Sequence, residues 1–340
     1  MKPEVSSTTK VLVIAGAPRS GTTAMVRYLG AHPAICASQP KETHFFLAAD
    51  SADDVVRSRA NYRRNHFPDL ASEHEILLDG SISYLYRPDA AARALSVFPE
   101  ARFLVMLRNP VDLVHSYHSR LLFYRQETEA DLNRAWNLQD ARRNGEQIPW
   151  TCSDPKMLEY REVGSLGRNL AAFLDTVGRD RCLWMFFDEF LADPLSSYRQ
   201  VLTFAGLPYD GRTAFPRKAP HRAYRSKLLQ YVNSGAFLMP FLPVNPKSTA
   251  LYGRLARLTR PLRRRLRLMN ASHKPRDQLD NATRTMLTQA FDEDIAILER
   301  LTNRSLAAWR AGFAPPPEAD AGPGRLASVQ QAAAHGGAAT

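Results

Sequence analysis

The chain has 340 residues, 44% of them hydrophobic and 23% charged, with a formal net charge of +11. That size and balance can bury a full core in one large domain or at most two, and they exclude fibrous or repeat architecture. The three cysteines, Cys36, Cys152 and Cys182, are widely spaced with no CxxC pair, which excludes a zinc pair or a disulfide framework and points to a reducing compartment.

In chain order, the apolar run Val11 to Ala15 predicts a buried strand, followed by a helix from Thr23 to Gly30 and a short strand at Ala34 to Ala37. A polar helix over Ala52 to Asn65 precedes a strand at Glu75 to Asp79, and Pro88 opens a helix reaching Phe98. The strand Arg102 to Leu107 leads into a helix that starts at Pro110 and runs through Tyr124. Helical patterns follow over Glu129 to Arg143 and Ser165 to Val177, then an apolar strand Cys182 to Phe187 and a helix Pro194 to Ala205. Strands alternating with helices predict an α/β fold: a parallel sheet covered by helices on both faces, with ligands gathered at the carboxyl ends of the strands. Residues 207–246 are rich in proline and lack a period, so loops packed on the core or over the site are expected.

Two strand ends carry motifs. Gly16-Ala-Pro-Arg19-Ser20-Gly21-Thr22-Thr23 keeps the glycine spacing of the nucleoside-triphosphate loop GxxxxGK[ST], but Thr22 stands where that loop has lysine. Such a loop holds phosphate through glycine-permitted curvature and the amides of a helix start. The later strand ends in Arg108-Asn109-Pro110, a cation where a metal-holding carboxylate would be expected. Two anion sites without a metal point to a bisphosphorylated nucleotide.

These residues resemble the sulfotransferases that use 3′-phosphoadenosine 5′-phosphosulfate. Gly16 to Thr23, with His32-Pro33 and Lys41-Glu42-Thr43-His44-Phe45-Phe46 after it, is similar to the 5′-phosphosulfate region of that superfamily. Leu107-Arg108-Asn109-Pro110 through Ser116-Tyr117 is similar to its 3′-phosphate site. Later stretches, Tyr160-x-x-x-Gly164, Asp188-Glu189-Phe190 and Leu306-Ala-Ala-Trp309, resemble further landmarks, so the likeness runs in patches from Val11 to Trp309. The resemblance implies a P-loop-like sheet, a mostly helical C-terminal part, and a sulfotransferase domain spanning 11–312 after an N-terminal extension, 1–10.

It also implies roles. Arg19 would steady the leaving oxygen; Arg19, Ser20, Gly21, Thr22 and Thr23 would hold the 5′-phosphate; Arg108 and Ser116 would hold the 3′-phosphate, with Arg217 and Lys218 as weaker contributors. Glu42 is the candidate base, because Glu-Thr-His-Phe-Phe looks like the Glu-Val-His-Phe-Phe of heparan sulfate O-sulfotransferases and the tyrosylprotein branch carries its glutamate at nearly the same distance. Beside Phe45 and Phe46 the carboxyl is expected to have a raised pKa. Read on residues alone, Glu42 is also a surface partner for Lys41, and His44 is the alternative base, since an imidazole titrates in the useful range. One departure is plain: where heparan sulfate enzymes read Glu-Lys-Thr-Pro-x-Tyr, this chain reads Asp79-Gly80-Ser81-Ile82-Ser83-Tyr84, which argues against a heparan-type acceptor.

Seven arginines between Arg254 and Arg267 carry most of the positive excess, and the leucines interleaved with them predict an amphipathic basic helix within 250–276. Packing on the domain, contact with an anionic membrane and docking on a polyanion are all compatible with it; no aromatic stacking platform accompanies the charge, so specific nucleic-acid recognition is not expected. Residues 313–340 read as a disordered tail.

The expected activity is therefore sulfuryl transfer without a metal to a hydroxyl on a carbohydrate or glycolipid, a peptide tyrosine or a secondary metabolite. The product is adenosine 3′,5′-bisphosphate and the location cytoplasmic, with peripheral membrane contact through the arginine segment. A P-loop nucleotide or small-molecule kinase and a non-catalytic nucleotide-binding adaptor are the competing readings.

Overall fold

The computed structural model describes residues 10–48, 54–216 and 278–311, with isolated positions 223–224, 226, 265, 269 and 271–272. Arg217, Lys218, the tail 313–340 and most of the arginine-rich segment lie outside the described residues; Arg265, within that segment, is exposed.

Five strands form a parallel sheet in the order β2-β3-β1-β4-β5: β1 (Lys10–Gly16), β2 (Ile35–Ala37), β3 (Ile76–Asp79), β4 (Arg102–Leu107) and β5 (Cys182–Phe186). Their continuous apolar runs follow from burial on both faces. Val11, Val13 and Ala15 of β1 point into one cluster with Leu77, Phe103 and Val105, while Leu12 and Ile14 point into the other with Leu78, Leu104 and Met106. On the first face lie α2 (Val55–His66), α3 (Pro88–Val97) and α4 (Pro110–Tyr124), with α8 (Leu166–Val177). On the second lie α1 (Thr22–Leu29), the short α9 (Phe187–Ala192) through Phe190, and α10 (Pro194–Ala205).

From β1 the chain goes to β2 and β3 on one side, then crosses to β4 on the other. The strand order therefore reverses at β1/β4, the crevice where open α/β sheets bind ligands.

Two sequence landmarks acquire structural reasons. Gly164 closes α7 (Tyr160–Gly164), and a Cβ there would stand 2.2 Å from Phe291 at the start of α12 (Asp292–Thr302). Tyr160 donates to Glu127 at 2.6 Å, and Glu127 receives a bidentate pair of bonds from Arg142, at 2.7 and 2.8 Å, with both side chains buried. The expected helix over Glu129 to Arg143 is two helices, α5 (Leu132–Asn137) and α6 (Gln139–Arg143), and Asp131 caps the first through its bond from the Arg134 amide. The polar helix begins at Val55, capped by Asp54; Ala52 and Asp53 lie outside the described residues.

Beyond α10 the chain returns over α1, where Tyr28 donates to the Pro216 carbonyl at 3.2 Å and His32 Nε2 lies 3.1 Å from the Pro208 carbonyl. The C-terminal part supplies α11 (Asn281–Ala290), α12 and α13 (Ala307–Arg310). Among the described residues no helix is long and apolar enough to cross a membrane.

Candidate active site

β1 ends at Gly16, and the turn to α1 follows β4 at first, since the Ala17 amide donates to the Met106 carbonyl at 2.9 Å. At Gly21 the backbone has φ 84°, and a Cβ would lie 3.0 Å from the Phe190 ring and 3.1 Å from that of Phe187. Dihedral and space both demand glycine here. Gly21 is also the N-cap of α1, with no side-chain cap and no acidic residue in the first turn. The first amides of α1 lack intrahelical acceptors, so the positive end of its dipole faces out of the sheet edge toward any anion placed there. Ser20 and Thr22 are buried beneath this turn and Thr23 is exposed.

The two sequence motifs meet at this turn. Arg19, held at φ 64°, a conformation that costs a non-glycine residue about 1 kcal/mol or more, donates from Nε to Ser116 Oγ at 2.9 Å. Arg108, at the end of β4, donates from Nη1 to the Arg19 carbonyl at 2.8 Å and stacks 4.7 Å from the Phe187 ring. Burial pushes the pKa of Arg108 down, while the carboxylates of Asp112 and Asp188 push it up. Arg19, Arg108 and Ser116 thus form one hydrogen-bonded group across the β1/β4 crevice.

On the other side of β1, residues 38–47 pass over the end of β3. The Gly80 amide donates to the Lys41 carbonyl at 3.0 Å, and Gly80 leaves room for the Lys41 stem, whose Cγ and Cε would be 3.1 Å from a Cβ. Lys41 Nζ donates to Glu42 Oε1 at 2.9 Å and to the Gly80 carbonyl at 3.2 Å; His44 Nε2 lies 3.5 Å from Glu42 Oε2. The other ring nitrogen of His44 lies 3.0 Å from Ser83 Oγ. The expectation of a raised Glu42 pKa is overturned. Burial does press upward, but the hydrogen bond from His44 and the ammonium of Lys41 outweigh it and bring the group to about 2. Phe46 itself is buried in the core.

The sign of that shift has consequences for pH. A depressed carboxyl pKa favours the fold above the ordinary carboxylate range, and this contribution is lost as acidification approaches pH about 2. Glu42 is ionised throughout the neutral range, so a carbon-detected NMR titration of its carboxyl should show no inflection at ordinary carboxylate values. An inflection there that disappears in Glu42→Gln would contradict this environment.

Sequence reasoning did not single out Ser83, or Asp79, whose carboxylate accepts from the hydroxyls of Thr43, Tyr62 and Ser81 beside this segment, although Asp79 ending the apolar run Ile76-Leu-Leu was the available signal. His118, which by default reads from the sequence as a surface or packing residue, is buried with Nε2 2.9 Å from the Glu129 carbonyl.

Known proteins resemble this chain in sequence and fold. A model described as the Sulfotransferase family matches residues 12–87 and 39–211. The bifunctional heparan sulfate N-deacetylase/N-sulfotransferase 1 of Caenorhabditis elegans is 20% identical over 239 residues, 67% of this chain and 26% of that protein. The mouse N-deacetylase/N-sulfotransferase 3 is 31% identical over 121 residues, 32% of this chain and 12% of that protein. This chain therefore spans about a quarter or less of the length of these curated relatives. The crystal structure of a sulfotransferase from Alicyclobacillus acidocaldarius superposes with a TM-score of 0.60 at 24% identity, over 90% of this chain and all of the other, which establishes the shared fold.

Proposed function

Because the chain belongs to the sulfotransferase family, we propose that it carries the sulfuryl group of 3′-phosphoadenosine 5′-phosphosulfate to an acceptor hydroxyl, and that the β1/β4 crevice is where the donor binds. The observation that carries this reading is the bonded group Arg19, Ser116 and Arg108, which sets two guanidinium groups and a hydroxyl around one helix N-terminus. A nucleotide with phosphates at both the 5′ and 3′ positions matches that donor set; a triphosphate with magnesium does not, since Thr22 replaces the lysine it needs.

In this reading the amides of Ser20 to Thr23, with the hydroxyls of Thr22 and Thr23, hold the 5′-phosphate, and Arg108 with Ser116 holds the 3′-phosphate. Arg19 stands beside the bridging oxygen and stabilises its charge as the bond to sulfur breaks. Glu42 takes the proton of the acceptor hydroxyl while that oxygen attacks sulfur in line, leaving a sulfated acceptor and adenosine 3′,5′-bisphosphate. An anionic group arriving beside Glu42 raises its affinity for that proton, offsetting the depression by Lys41 and His44. His44 orients the carboxylate and is the alternative base. Arg217 and Lys218 are secondary donors to the nucleotide. The acceptor is a carbohydrate or glycolipid hydroxyl, the protein is cytoplasmic, and the arginine-rich segment gives it peripheral contact with anionic surfaces.

Thermal unfolding tests the nucleotide. Adenosine 3′,5′-bisphosphate at 100 times its Kd, without magnesium, should stabilise by about 2.7 kcal/mol, and ATP with magnesium should leave the midpoint unmoved. The reverse pattern would favour a kinase.

A further inference from the structure

The segment that carries Glu42 and His44 belongs to no sheet ladder, yet four successive amides in it are satisfied by side-chain oxygens. Thr43 N–H donates to Asp79 Oδ1 at 3.5 Å, His44 N–H to Ser81 Oγ at 3.0 Å, Phe45 N–H to Thr43 Oγ1 at 3.2 Å and Phe46 N–H to Tyr84 OH at 3.1 Å. Two of the three hydroxyls that accept these bonds themselves donate to one carboxylate: Ser81 to Asp79 Oδ1 and Thr43 to Asp79 Oδ2, each at 2.7 Å. Tyr62, from α2, adds a third hydroxyl to Oδ2 at 3.0 Å.

Asp79 is wholly buried at the tip of β3 and forms no salt bridge among the described residues. A buried carboxylate without a cation is costly unless hydrogen bonds satisfy it. Burial pushes its pKa up and the hydrogen bonds from Ser81, Thr43 and Tyr62 push it down; as a carboxylate it is acceptor-only, and it then fixes the direction of every bond around it. The single protons of Ser81 and Thr43 must point at Asp79, which leaves their lone pairs for the amides of His44 and Phe45.

Resting on the reading of Glu42 as proton acceptor, we propose that Asp79 is the positioning residue of the transfer: through Thr43 and Ser81 its carboxylate sets the turn that aims Glu42 and His44 at the reacting hydroxyl. Its contribution is to the transfer step and not to the hold on the nucleotide, whose donors are on the opposite side of β1.

The test is Asp79→Asn, nearly the same shape, with an amide nitrogen replacing one acceptor oxygen and facing donors. Turnover should fall by about 10- to 100-fold, as for small misplacements of a reacting group, while the affinity for adenosine 3′,5′-bisphosphate stays within about twofold. Combined with Glu42→Gln, the substitution should cost no further turnover, because the group it positions is already gone. Wild-type turnover in Asp79→Asn, a loss of nucleotide affinity that matches the loss of turnover, or full additivity with Glu42→Gln each overturns the proposal. If Asp79→Asn does not fold, Thr43→Val and Ser81→Ala decide: lowered turnover with unchanged nucleotide affinity supports the role, and wild-type kinetics in both refutes it. A fully active Glu42→Gln would instead remove the reading of Glu42 itself.

Discussion

Glu42→Gln should lower turnover by roughly 10²- to 10⁴-fold, the range supplied by a positioned general base, while leaving nucleotide affinity as it is. Glutamine has the same length and can still accept from Lys41, but it cannot carry away a proton. The side chain is about one-third exposed, so losing its ion pairs with Lys41 and His44 should shift stability by less than about 1 kcal/mol. Single-turnover transfer from labelled donor, beside a titration with adenosine 3′,5′-bisphosphate, separates the two effects. Retained transfer would move the base to His44, which already contacts Glu42 and Ser83.

Arg108→Ala should produce the largest loss of nucleotide affinity, about 2–5 kcal/mol for removing one partner of a desolvated charge pair. The loss should be confined to nucleotides that bear a 3′-phosphate; adenosine 5′-phosphate should bind nearly as before. Arg108→Lys should recover only part, since an ammonium keeps the charge but not the planar fork that also reaches the Arg19 carbonyl. Calorimetric titration of the two nucleotides against wild type and both variants checks this, and an equal loss for both nucleotides would remove the 3′-phosphate assignment.

The glycine-bracketed turn was legible because its geometry is local. Gly16, Gly21 and Thr22 lie within one strand-turn-helix unit whose curvature and open amides depend on neighbours in sequence. The sheet was legible for a similar reason: strands buried on both faces must be apolar throughout, as β1 and β4 are. The split of the helix over Glu129 to Arg143 was hidden, because it depends on Asp131 capping one short helix and on Arg142 turning inward to Glu127, 15 positions earlier.

The Glu42 environment was hidden too. Neighbouring phenylalanines suggested an apolar pocket, but a pKa answers to what stands within a few ångströms in space, and there Lys41 and His44 prevail over burial.

By itself, then, the sequence determined that this protein builds a parallel sheet with a glycine-bracketed turn into a helix and a strand-terminal arginine, since spacing and polarity along one chain suffice for those. Only the tertiary structure decided that Arg19, Ser116 and Arg108 join into one group, and that Asp79 gathers Thr43, Tyr62 and Ser81 beneath Glu42. Hydrogen bonds reach about 3 Å, and which distant residues come that close is set by the order of strands in the sheet.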